Sequence, residues 1–218
     1  MLEFLISHYG EELGRELFRR QQERLKELAR SIEGKKQSRT LVKNILPSIA
    51  LHLVLTDELG SKEASSEVLE DYLRRIGEKL GNLYRKAERV PLFFQIFRFV
   101  FSLIVLKSGS WDAQIVINNR FALEIDISKC LWHDSCAENG CPELCSLFCS
   151  TDDIIYGALE KTAFFRSGSL GFGQSACDFK FKKQRLVRLI SGGRDIRKGG
   201  RSAAQGQRLL HKLRKRSP

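Results

Sequence analysis

The chain has 218 residues, 42% hydrophobic and 29% charged, enough for one well-buried domain but not a second, and too apolar for global disorder. The formal charge of +11 would suggest a nucleic-acid binder, but residues 180–218 hold 14 Lys/Arg against the single acid Asp195, whereas residues 1–179 hold 23 Lys/Arg against 25 Asp/Glu. The basicity belongs to the tail, so it says little about the core.

In chain order, residues 2–32 are expected to form one long amphipathic helix. Leu2, Leu5, Ile6, Tyr9, Leu13, Leu17, Phe18, Leu25, Leu28 and Ile32 keep helical spacing. Charges of both signs fill the other face, which favours packing on the domain over a membrane surface. Gly34–Thr40 is a polar, basic loop. A second helix is expected over 41–59, bent or started at Pro47 and closed by Gly60. His52 in its apolar run reads as a satisfied core histidine. Ser61 should cap a third helix reaching Lys86, weakened midway by Gly77 and Gly81.

Val90–Leu106 is the most apolar segment. Its 17 residues include Gln95, Arg98 and Ser102. A spanning helix wants about 20 apolar residues, and a central Arg costs roughly 2.5–3.5 kcal/mol. The segment therefore reads as a buried core helix, with Arg98 snorkelling or paired, and no transmembrane helix is expected.

After Gly109 the period changes. Gln114–Ile117 and Phe121–Ile127 read as strands joined at Asn118-Asn119, with Phe121, Leu123, Ile125 and Ile127 on one face. Cys130 leaves the second strand. A helix is expected from Pro142 to about Leu159, because Pro suits the first helical position and Glu143 suits the positive helix end. A second hairpin, Ala163–Ser167 with Cys177–Lys182, turns at residues 169–175. This order predicts an α+β fold, in which N-terminal helices pack with an antiparallel sheet built from hairpins around a cysteine-bearing helix.

Residues 1–107 form the helical part and 108–185 the cysteine-bearing part, sharing one core because neither hairpin can bury its apolar face alone. Residues 186–218 form a basic tail expected to be disordered, with a short helix at 207–215. It is either a solvated appendage or a non-specific, salt-dependent contact for RNA or acidic lipid. It has no aromatic residue for base stacking. Met1 opens straight into a charged helix without a cleavable apolar region, and the six cysteines do not form a secreted disulfide pattern. A cytoplasmic protein with free thiols is expected.

Five of the six cysteines lie between Cys130 and Asp153. Cys145, Cys149 and Asp153 recur every four residues along one helical face, with Asp152 on the same edge. Thiolates suit zinc or iron–sulfur, but zinc sites usually draw closely paired ligands from two separate loops. Cys130, His133 and Cys177 are the residues that could complete a set with Cys149. A nucleophilic cysteine needs a depressed pKa, for which Cys141 at the helix start and His133 as the nearby base are candidates. Cys145, within an apolar run, reads as a core residue.

The phrases GCPELCSLFCSTDD and FFRSGSLGFGQSACDFKF, with ILPSIALHLVLTDELGSKEAS upstream, resemble the 2-aminothiazoline-4-carboxylate hydrolase family, over roughly Leu41 to Phe181. The resemblance implies a small cyclic isothiourea substrate bearing a carboxylate, opened when water attacks the carbon between sulfur and nitrogen. It implies a catalytic set of Cys149, Asp152, Arg166, Cys177 and Asp178. Arg166 would take the substrate carboxylate, and Asp152 or Asp153 the amidine-like nitrogens or the base role. Cys149 and Cys177 would serve as the acid, or as ligands to a divalent metal such as zinc or manganese. The sequence departs from the family motif in its extra thiols, Cys136 and Cys145. A looser similarity to 4-vinyl-reductase-type ligand-binding domains supports the alternative, a non-catalytic small-molecule, redox or metal sensor using the same pocket.

Overall fold

The computed structural model describes residues 1–34 and 38–184; the expected basic tail with its short helix lies outside them. The first expected helix is broken in two, α1 (Leu2–Tyr9) and α2 (Glu11–Ser31). Gly10 takes φ +84, which side-chain-bearing residues avoid, and reverses the chain. Gly14 then lies so close to α1 that a Cβ there would sit 2.6 Å from the Ile6 amide nitrogen. The periodic pattern runs unbroken across the break, because both helices bury the same kind of face.

A short turn α3 (Ser38–Thr40) leads into a wide π-type turn, Leu41–Ile45, and then α4 (Leu46–Leu59). The wide turn follows from Pro47, which has no N–H to continue regular helical bonding. Leu46, Ile49, Ala50, Leu51, Val54 and Leu55 are buried, so α4 is the central rod of the helical layer. Gln21 of α2, fully buried, donates to the Pro47 carbonyl at 3.0 Å. Gly60 closes α4 at φ +64, and the Ser61 hydroxyl accepts from the Ala64 amide at the start of α5 (Lys62–Ala87), as the sequence predicts. Gly77 and Gly81 have a packing role. A Cβ at Gly81 would stand 2.9 Å from Ala158, so these glycines let the later cysteine-bearing helix pass close.

α6 (Phe93–Lys107) differs from the expected core helix. Phe94, Phe97 and Val105 are buried against the sheet, whereas Ile96, Phe99, Val100 and Ile104 face outward. Hydropathy alone does not reveal which side of an apolar helix a neighbour covers. Arg98 is paired, donating to Asn118 at 2.5 Å. Among the described residues no helix is long and apolar enough to cross a membrane.

The strands are β1 (Trp111–Asn118), β2 (Ala122–Cys130), β3 (Thr162–Phe165) and β4 (Cys177–Lys183), in the order β1-β2-β4-β3, all antiparallel. The β2–β4 pairing sets Ile125 opposite Phe179 and Ile127 opposite Cys177. Leu123, Ile125, Ile127, Phe179 and Phe181 fill the inner face beneath α6. The outer face carries polar pairs, including Lys182–Glu124 at 2.8 Å. This division of faces is common in antiparallel sheets. The fold class is the expected α+β.

Residues 131–138, for which the pattern predicts no element, form α7, followed by α8 (Leu144–Gly157). The Trp111 and Trp132 rings stack at 5.3 Å, holding α7 to the sheet. Apolar side chains gather in two clusters, one among the N-terminal helices and one between α6 and the sheet. α8 contributes to both, with Cys145 and Cys149 in the first and Tyr156 in the second.

Candidate active site

α8 presents Cys145, Cys149, Asp152 and Asp153 along one edge, toward the segment between β3 and β4. That segment contains a 3₁₀ turn, Leu170–Phe172, that lies directly on the helix. A Cβ at Gly171 would stand 2.8 Å from both the Cys145 carbonyl oxygen and the Cys149 Sγ. Only glycine lets the backbone come that close. Cys149 is 9% exposed, so the turn acts as its cover.

Beneath that cover several donors converge on one sulfur. The Ser169 hydroxyl donates to Cys149 Sγ at 3.0 Å. The neighbouring Cys145 thiol and Gly171 backbone also favour its ionised form. Arg166 adds positive charge, and together these neighbours bring the Cys149 thiol down to about 6 against the opposing effect of burial. The Cys145 thiol is pushed far up, since it is the donor of the pair and is buried. Cys177 joins through Ser169: its thiol lies 3.8 Å from the same hydroxyl, and its sulfur accepts from the Leu170 amide at 3.2 Å. Within the cluster ionisation is therefore favoured at Cys149 over Cys145 and Cys177.

Arg166, at the end of β3, has a side chain only 4% exposed. Its Nη2 donates to the Cys149 carbonyl oxygen at 2.7 Å and meets Asp153 at 2.7 Å. Its guanidinium also lies over the Phe179 ring, 5.4 Å from the centroid. Nη1 is 3.8 Å from Asp152 and has no hydrogen-bond partner, leaving a buried charged donor available. The surrounding protein pushes the Asp152 carboxyl up to about 7, with Arg166 opposing and Cys149 and Asp153 adding to the rise. Its side chain keeps 37% of its surface open, which moderates that rise. A carboxyl raised in this way beside a thiol that is lowered can accept and return a proton at working pH.

The structure gathers four of the expected catalytic residues, Cys149, Asp152, Arg166 and Cys177, and separates the fifth. Asp178 follows Cys177 in a strand, so it points to the opposite sheet face. There it accepts from the Ser167 and Gly168 amides, and the Ser167 hydroxyl also donates to it. These bonds, with Lys180, hold its carboxyl at about 2 despite burial, and they shape the base of the cover. Ser169 and Gly171 lie in a phrase that carries the family resemblance, but as residues of the turn over 169–175 they receive no role from the sequence. The one available signal is Ser-x-Gly, in which Ser169 accepts from Gly171 at 3.2 Å. Cys145 packs as expected but is also a donor.

Of the metal candidates, Cys149 and Cys177 meet at the Ser169 hydroxyl, but His133 does not join them. His133 is 43% exposed and turned toward Asp134 at 3.3 Å. The Cys130 thiol, in contact with the His133 and Trp132 amides, is pushed up to about 11 by burial. Among the described residues no group of three or more His, Cys, Asp or Glu side chains is arranged to hold a metal ion. The residues present do not fit a resident divalent ion. Cys141 sits at the helix start as expected, but in a different cluster: its thiol accepts from Cys136 and is held down. His52 is buried as expected but only half satisfied: the Ser65 hydroxyl lies 2.9 Å from its Nδ1, whereas its Nε2, 3.2 Å from Glu143, has no aligned hydrogen bond. The open hollows of about 370 and 310 Å³ lie beside α2 and between α1 and α5, away from the thiolate.

Compared with known proteins, the chain matches the family model described as L-2-amino-thiazoline-4-carboxylic acid hydrolase over residues 38–181. That is about two thirds of the chain, and it spans every residue of the thiolate cluster. No curated protein and no solved structure matches.

Proposed function

The chain belongs to the L-2-amino-thiazoline-4-carboxylic acid hydrolase family, and on that premise we propose that it opens a small cyclic isothiourea by covalent catalysis at Cys149. The observation that carries this reading is the buried Cys149 sulfur, which accepts from the Ser169 hydroxyl at 3.0 Å beneath the Gly171 turn, with Cys145 and Arg166 favouring its ionised form. Nη1 of Arg166, which has no hydrogen-bond partner, takes the substrate carboxylate, since a planar guanidinium matches that group. The Cys149 thiolate adds to the ring carbon between sulfur and nitrogen. The C=N electron pair moves to nitrogen, which takes a proton.

Collapse of the adduct breaks the bond to ring sulfur, because a thiolate leaves far more readily than an amine anion. The freed sulfur takes its proton from solvent or from a neighbouring thiol. The enzyme is left joined through Cys149 Sγ to an amidine carbon. Ionised Asp152 then takes a proton from water, which attacks that carbon. The Cys149 thiolate departs, and the product is a ureido acid with a free thiol. Asp152 and the new C–OH release their protons to solvent, which balances the protons that nitrogen and ring sulfur took up, so one water is consumed and the thiolate and carboxylate are restored. The cover must lift for substrate to enter, and Gly171 and Gly173, the latter at φ +83, supply its backbone freedom.

The test is to incubate the full chain with 2-aminothiazoline-4-carboxylate and follow both release of a free thiol and mass addition at Cys149 after acid quench. Turnover with a Cys149 adduct supports the reading. Turnover without any adduct, retained by Cys149→Ser, replaces it with direct water attack assisted by Asp152. If the wild type leaves the substrate intact but its thiols titrate with peroxide, the sensor reading takes its place.

A further inference from the structure

From the outer face of α6 we infer that this protein docks on an anionic lipid bilayer, as a peripheral and not a spanning contact. Leu92 is 68% exposed, Ile96 56%, Phe99 62%, Val100 45% and Ile104 49%. From Ile96 to Ile104 the spacing of three and four places them on one stripe of a helix of 15 residues, which Leu92 immediately precedes. Scattered exposed apolar residues are ordinary on a protein surface, but a continuous helical stripe of bulky ones marks a contact site.

Charge identifies the occupant. Between Glu88, which is buried, and Asp112 the sequence has no acidic residue, while Arg89, Arg98 and Lys107 border the stripe. The hairpin tip beside it adds Arg120, whose guanidinium covers the half-exposed Phe121 ring at 4.6 Å. The basic segment is rooted at the same place. The Lys183 amide donates to the Phe121 carbonyl at 2.9 Å, and its ammonium lies over the Phe94 ring of α6 at 5.6 Å. From Gln184 to Pro218 the sequence adds 11 Lys/Arg and one acid.

An apolar stripe bordered by cations, with a polybasic segment starting at its edge, matches the two signals a stable interfacial contact needs. The apolar side chains enter the acyl boundary while the cations meet lipid phosphates. A second copy of the chain fits less well. A two-fold contact sets a patch against itself, and this patch offers cations without acids to pair them.

The experiment is flotation of the full chain with vesicles of phosphatidylcholine alone and of phosphatidylcholine with phosphatidylserine. Binding is expected only to the anionic vesicles, falling steeply with added salt. Ile96→Asp/Phe99→Asp should weaken it about tenfold or more, with an unchanged thermal melt. The milder Ile96→Ser/Phe99→Ser should act in the same direction. Absence of binding to anionic vesicles overturns the inference. So does binding that both double variants leave intact, which would assign it to the basic segment alone. A dimer in sedimentation that the Asp variant dissolves also overturns it, by showing that a second copy covers the stripe.

Discussion

Two thiol pairs flank the start of α8. In both, one sulfur donates to the other and lowers its pKa: Cys136 to Cys141, and Cys145 to Cys149. What differs is the company. Near Cys141 the charges are Glu143, which opposes ionisation, and Lys62, which favours it. Around Cys149 a hydroxyl, a backbone amide and the Arg166 guanidinium all favour the thiolate, and a carboxylate that titrates near neutrality stands on the same edge. A thiol pair is therefore not in itself a reactive site. The second set of donors comes from the turn over residues 169–171, which covers only the Cys149 end.

The comparison breaks most directly at the two acceptor sulfurs. Cys149→Ser should lower turnover of 2-aminothiazoline-4-carboxylate by about 10⁴–10⁶-fold, whereas Cys141→Ser should leave it within about twofold. Equal losses in the two variants would erase the distinction. Asp152→Asn keeps the shape and removes the charge, so its expected loss is about 10²–10⁴-fold.

The pH dependence sharpens the same point. The wild-type rate should rise across pH 6 to 7, as the thiolate and then the Asp152 carboxylate form. Because burial raises the folded Asp152 value above the unfolded one, its contribution to stability is fully present at acid pH. That contribution is lost as pH rises toward about 7. The Asn variant should therefore lose less stability than the wild type between pH 5 and 8, which denaturant titration at both pH values would show.

Cys145→Ala removes the largest influence holding Cys149 down, so the midpoint for alkylation of Cys149 should move up from about 6. An unmoved midpoint would assign the depression to Ser169 and Arg166 instead. Gly81→Ala tests the scaffold that carries the α8 edge. Its Cβ would press on Ala158 at 2.9 Å and on the Ile154 carbonyl at 3.2 Å. Overpacking of about 1–3 kcal/mol should outweigh the helix propensity gain of up to about 1 kcal/mol, lowering the melting temperature. A rise would mean that α5 and α8 part without cost.

Local rules account for one part of this molecule. Gly60-Ser61 closes one helix and caps the next, the alternation over 121–127 sets a half-buried strand, and the four-residue spacing puts Cys149 and Asp152 on one edge. The opposite facing of Cys177 and Asp178 was also readable, since neighbours in a strand point to opposite sides, even though both residues fit the family motif. Only the tertiary structure decided the rest. Gly10 breaks a helix whose apolar pattern runs straight through it, because the fold-back depends on Gly14 meeting Ile6 across the hairpin. α6 carries bulky apolar residues on more than one face, and only the position of the sheet selects the covered side. Ser169 and Gly171 become part of the site through contacts with a helix some 20 residues earlier in the chain. No local period or spacing records such a contact, because it arises from the packing of the cover onto α8.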